Sequence, residues 1–215
     1  MKLKRLAGYG PLAAFVTAGS LLLYAAIDQF GSAIAQAAPG LLAPMEYVYF
    51  VAVPLWVVAL AVVVFDLEWI EHPKTSTSRL RVARAATLVA LVMPVVLDIG
   101  LIAKAGVILQ SPSYLLLYGG IATSLLIHNF DGRRAGVLHG VLPWLGMAAG
   151  LAYAIAGIGF GMFLIPGIGP SAYMVGFNTL LLGQVLYVAW AVWMGVTLSR
   201  SRALGTAASV AAMAQ

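Results

Sequence analysis

The chain has 215 residues, 62% hydrophobic and 9% charged, with a net charge of +5 and no cysteine. A water-soluble domain draws roughly a quarter of its residues from the charged set, so this composition builds a surface for lipid and not for water. The missing cysteines exclude disulfides, thiolate nucleophiles and cysteine-ligated zinc or iron–sulfur centres. The basic residues lie beside apolar stretches, which speaks for membrane orientation and not for nucleic-acid binding.

Six apolar stretches are predicted as membrane-crossing α-helices, at about 11–35, 45–67, 82–103, 113–128, 137–164 and 171–198. About 20 apolar residues cover the hydrocarbon core, which five of the stretches meet; the fourth is short and is expected to stand upright or thin the bilayer. The alternation of a membrane β-barrel is not seen. The expectation is an all-α, polytopic transmembrane helix bundle, one integral membrane domain over residues 1–215.

The first stretch follows Lys2, Lys4 and Arg5 and carries Asp28, with Tyr24 and Ser32 four residues to either side. Its basic start and Ala33-Ile34-Ala35 also have the outline of a cleaved signal peptide, whose loss would leave five helices. The apolar run is longer than a signal core, so a retained helix is expected. Pro39, Gly40 and Pro44 separate it from the second stretch, which has Glu46 near its outer end and Pro54 within it. Residues 65–72 read as a helix end emerging into water, its acids within reach of Arg79, Arg81 or Arg84. The third stretch holds Pro94 and Asp98 and ends near Lys104. Pro54 and Pro94 are expected to kink their helices.

Ser111 and Pro112 precede the fourth stretch, and residues 129–134 read as a turn with Asp131-Gly132 as the reversal. The fifth stretch is rich in small residues at four-residue spacing: Gly136 with Gly140; Gly146, Gly150 and Ala154; Gly157 with Gly161. Such rows let helix backbones approach closely, so this helix is expected at the centre of packing. Residues 166–170, Pro-Gly-Ile-Gly-Pro, lead into the sixth stretch, which carries Asn178. Trp56, Trp69, Trp144, Trp190 and Trp193 are read mostly as interfacial or lipid-facing.

If the helices alternate, the basic residues at positions 2–5, 74–84, 133–134 and 200–202 share one side and only Lys104 falls on the other. Positive residues stay cytoplasmic, so both termini are expected inside, in a cell membrane. Asp28, Asp98 and Asn178 then share one level in the outer half, each about 10 Å in from its helix end. Intramembrane acids are costly and point to function. Asp28 and Asp98 are read as binding a cation, a proton or a polar substrate, with Asn178, Tyr24 and Lys104 beside them.

The leading expectation is therefore a small transporter or channel-like protein, or the substrate-binding membrane subunit of one. A non-catalytic subunit of a larger membrane complex, such as a respiratory one, is the alternative, and the expected partners are such a complex or further copies of the chain in a homo-oligomer. A third reading has His128 and His139, with His72, ligating haem or a metal. No cofactor is expected on the first two readings. No nucleotide-binding, hydrolase or protease motif is present in the chain, which leaves no enzymatic class favoured.

Overall fold

The structure is a computed structural model that describes residues 9–38, 40, 42–71, 77–102 and 106–213. Six α-helices fill them: α1 Gly10–Ala37, α2 Leu42–Glu71, α3 Thr77–Ile102, α4 Gly106–Arg134, α5 Leu142–Gly161 and α6 Gly169–Met213. A 3₁₀ turn, Met162–Leu164, follows α5, and there is no strand among the described residues. Four stretches are long and apolar enough to cross a membrane: Gly10–Ile27, Ser78–Leu97, Leu142–Gly161 and Gly169–Arg200. A shorter apolar run, Val51–Leu67, lies in α2. Residues 1–8, which hold Lys2, Lys4 and Arg5, lie outside the described residues, as do His72, Lys74 and Lys104.

Two elements differ from the sequence reading. The fourth helix is not short. It has 29 residues and runs straight through Pro112, because a helix in apolar surroundings keeps its backbone groups bonded more cheaply than a loop would. Its far end also passes the expected reversal: Asp131 and Gly132 are helical, and Ala135 N–H still donates to Asp131 O at 2.8 Å. The helix stops at Gly136, whose φ of 69° is the left-handed value a glycine allows. Gly136 N–H donates to Arg133 O and Val137 N–H to Gly132 O, the paired bonds of a Schellman cap. Gly136 and Gly140 (φ 65°) are therefore turn residues and not a helix-packing pair.

Packing runs around a ring: α1 on α2, α3 on α4, α4 on α5, α5 on α6 and α6 back on α1, with α2 meeting α3 only lightly. Each pair is antiparallel. Gly10 at the start of α1 abuts Asp66 near the end of α2, Arg79 at the start of α3 meets Asp131 at the end of α4, and Gly195 late in α6 meets Phe15 early in α1. One end of the bundle thus gathers the start of α1, α3 and α5 and the end of α2 and α4. It is called the basal end below.

Glycines set these distances. On α5, Gly150, Gly157 and Gly161 face Leu126, Tyr118 and Leu115 of α4, while Gly159 faces Ala172 and Gly176 of α6. A Cβ on Gly159 would come within 2.6 Å of the Ala172 carbonyl oxygen. The fifth helix is held on two sides by backbone-to-backbone approach, the close packing that lipid-embedded helices use.

The core is aromatic. Trp56 of α2 lies 5.9 Å from the rings of both Tyr153 (α5) and Tyr187 (α6), and 6.4 Å from Tyr24 (α1). Tyr153 stacks on Tyr118 of α4 at 5.8 Å. Each such pair adds ~0.5–1.5 kcal/mol beyond burial. Trp56 and Trp190 are each only 1% exposed, which corrects the reading of the tryptophans as a lipid-facing belt; Trp144 and Trp193, at 54% and 49%, do face outward. Helices apolar on every side give no period that separates the inner face from the outer, so a buried tryptophan reads like a lipid-facing one.

Candidate functional site

The α1 helix turns one polar face inward: Thr17, Ser20 and Tyr24 are all buried. Ser20 donates back to Val16 O at 2.8 Å, a bond that satisfies the hydroxyl within its own helix. Thr17 acts across helices. Its hydroxyl lies 2.9 Å from Trp56 O and 2.7 Å from the Tyr187 hydroxyl. A threonine carries one hydroxyl proton, and a carbonyl can only accept. Thr17 therefore donates to Trp56 O, and the Tyr187 hydroxyl donates to Thr17. The three residues tie α6, α1 and α2 together at one level.

Tyr153 stands beside this relay, its ring 6.0 Å from that of Tyr187. Its hydroxyl is fully buried with no hydrogen-bond partner among the described residues. An unpaired buried hydroxyl costs ~1–3 kcal/mol.

A second polar layer lies nearer the basal end. Trp190 Nε1 donates to Asn129 Oδ1 at 2.8 Å, and Asn129 Nδ2 donates to Leu125 O at 2.8 Å. Gly146 leaves the room: a Cβ there would collide with the Asn129 amide. The Thr87 and Ser124 hydroxyls, 2.5 Å apart, join α3 to α4. Arg79 Nη1 lies 2.8 Å from Asp131 Oδ1, with the Asp131 side chain 5% exposed and that of Arg79 44%. Asp66, also buried, sets its carboxylate against Gly10 in the first turn of α1, where the helix dipole favours an anion.

This layer corrects one sequence reading. Asp66 does not emerge into water but is covered by the start of α1. Arg79 pairs with Asp131 on α4, because α3 packs along α4 and only lightly against α2; of the acids in residues 65–72, the side chains of Glu68 and Glu71 lie outside the described residues. Both acids, Asp66 and Asp131, sit in the last turns of their helices with further charged residues just beyond, Glu68 and Glu71 after Asp66 and Arg133 and Arg134 after Asp131, which in a sequence is the pattern of a solvated end. Gly10 facing Asp66 and Gly146 facing Asn129 become visible as signals only once the pairing of helices is known.

Of the residues expected to form an outer pocket, Tyr24 is buried against Trp56 and Asn178 is exposed on α6. The Thr17–Tyr187 bond fixes the register of antiparallel α1 and α6, so positions 24–28 of α1 are level with about 176–180 of α6. Positions 28 and 98 lie within α1 and α3, but the side chains of Asp28 and Asp98, like Lys104 as a whole, lie outside the described residues. Among the described residues, α1 and α3 share no extended contact.

His128 is buried on α4 and His139 is exposed in the turn after it. No three potential metal ligands gather among the described residues. A groove of about 390 Å³ between α1 and α2 is lined by Gly19, Ser20, Leu23, Tyr47, Val51 and Leu55, among others. Ser20, one of its few polar groups, is already bonded to Val16 O, so the groove offers little to recognise a polar solute.

Comparison of the chain with protein-family models, curated proteins and solved structures returns no match.

Proposed function

We propose that the chain is a small membrane transporter or channel-like protein, or the solute-binding membrane subunit of one. It crosses the bilayer about six times with both termini in the cytoplasm. Asp28 and Asp98 bind a proton, a cation or a cationic solute in the outer half of the bundle, with Tyr24, Asn178 and Lys104 around them. The observation that supports this most is the inward polar face of α1. Thr17, Ser20 and Tyr24 are buried there, and position 28 follows Tyr24 at the next helical repeat of the same continuous helix. Ionisable groups within a membrane helix mark solute and proton paths, and this is the ground on which Asp28 is assigned to the site.

The orientation draws on the basal end, where Arg79, Arg81, Arg84, Arg133, Arg134 and Arg200 are all exposed. Flux into vesicles tests the function. Purified protein in proteoliposomes with an entrapped pH dye should discharge an imposed proton or sodium gradient faster than empty vesicles. Asp28→Asn and Asp98→Asn should each remove at least 90% of that flux while the protein still reconstitutes, as loss of an essential protonatable group requires. Wild-type flux in both variants rejects the site.

A further inference from the structure

The end of α4 carries two arginines, each laid on an aromatic ring of its own. The Arg133 guanidinium lies 4.2 Å from the centre of the Trp144 ring, and that of Arg134 lies 5.8 Å from Phe130. Arg79 lies 5.5 Å from the same Phe130 ring but is committed to Asp131. Neither Arg133 nor Arg134 makes a described ion pair with a carboxylate. A guanidinium laid on an aromatic face uses the π cloud and keeps its in-plane N–H groups for an acceptor, and that fork matches a phosphate.

Below Trp144 the outer face of α5 continues as an apolar stripe. Trp144, Ala148, Leu151, Ile155 and Ile158 are all exposed, at the three- and four-residue steps of one helix face. The stripe is ~21 Å long at 1.5 Å per residue, enough to lie along an acyl chain through one leaflet, whose apolar depth is ~15 Å. A basic fork directly above an apolar track of that length fits a molecule that is anionic at one end and a hydrocarbon chain at the other.

We infer that Arg133, Arg134 and Trp144 bind the phosphate of an anionic phospholipid whose acyl chain lies along the outer face of α5. The α4 carboxyl-terminal dipole opposes an anion with only about half a charge, and the Schellman cap already occupies two of its carbonyls. Two full positive charges outweigh it. The inference rests on the membrane-spanning part of the proposed function and not on solute movement.

Thermal unfolding of the full chain in mild detergent tests it, with phosphatidylglycerol or phosphatidylcholine added to the micelles. Phosphatidylglycerol should raise Tm by roughly 5 °C over phosphatidylcholine. Arg133→Gln with Arg134→Gln should abolish the difference, and Arg81→Gln, which removes an exposed charge from the same end, should leave it. Should the glutamine pair not survive extraction, Trp144→Leu removes the ring under Arg133, keeps every charge and must at least halve the preference. Equal shifts with both lipids, retention of more than half of the preference in these variants, equal loss in Arg81→Gln, or the same shift from soluble glycerol phosphate would each overturn the assignment. A wild-type protein that shows no lipid preference yet retains vesicle flux rejects this site alone. A wild-type protein that stays soluble without detergent rejects the membrane setting of both proposals.

Discussion

Thr17 and Tyr153 are two buried hydroxyl residues that both neighbour Tyr187, and they should respond oppositely to the loss of an oxygen. Thr17 receives a proton from Tyr187 and gives one to Trp56 O, so Thr17→Val leaves two groups without their partner. Interhelical hydrogen bonds in membrane proteins average ~0.6 kcal/mol and reach ~1.7, and a doubly bonded hydroxyl belongs at the upper end. Unfolding in detergent should show Thr17→Val destabilised by about 1.5 kcal/mol, with Tyr187→Phe adding little on top, because both remove the same bond. The Tyr153 hydroxyl has no described partner. Tyr153→Phe keeps its stack on Tyr118 and should be neutral or stabilising by up to ~1 kcal/mol. A Tyr153→Phe loss as large as that of Thr17→Val would mean the hydroxyl is bonded after all.

At the scale of elements, the α4–α5 contact depends on Gly146 and the α3–α4 contact on Arg79 with Asp131. Gly146→Leu should cost ~3 kcal/mol or more, because the added side chain displaces Asn129 and with it the acceptor of Trp190 Nε1. Gly19→Leu, where a Cβ meets nothing within 4 Å, should lie within ~1 kcal/mol of wild type in the same unfolding assay. The ion pair predicts a sign. Arg79→Gln strands a carboxylate that is 5% exposed, whereas Arg79→Gln with Asp131→Asn removes the charge too. The single variant should be the less stable of the two, by ~1–3 kcal/mol after discounting for the exposure of Arg79.

These same contacts show what a sequence can carry. The helices are legible because apolar length alone announces them, and the glycines of α5 announce close packing before any partner is known. Which face of α2 or α6 turns inward is not legible: Trp56 and Trp193 sit in equally apolar runs, yet only the former is enclosed. The acids split in the same way. Asp28 and Asp98 stand out against apolar neighbours. Asp66 and Asp131 are buried through contacts with helices whose pairing no local pattern encodes. The inward face of α1 from Thr17 to Tyr24 could have been read from its polar residues, and the Thr17 relay could not, since Tyr187 lies 170 residues away.

The whole molecule makes a prediction about sidedness. The chain has no cysteine, so a single introduced thiol reports its own location without background. Gly40 and Ser171 are exposed at the end opposite the basic cluster, and His139 is exposed in the turn at the basal end. A cysteine at position 40 meets open space and needs no left-handed backbone, and none of the three positions bears on the polar core. With the basal arginines held in the cytoplasm, a membrane-impermeant maleimide applied to intact cells should label Gly40→Cys and Ser171→Cys, and His139→Cys only after permeabilisation. Position 40 precedes α2 and position 171 opens α6, so their labelling together also requires an even number of crossings between them. If one of them labels and the other does not, the helix count is wrong by an odd number. If His139→Cys labels alone, the count stands and the orientation is reversed, which would move Asp28 and Asp98 to the cytoplasmic half and turn the proposed pocket inward.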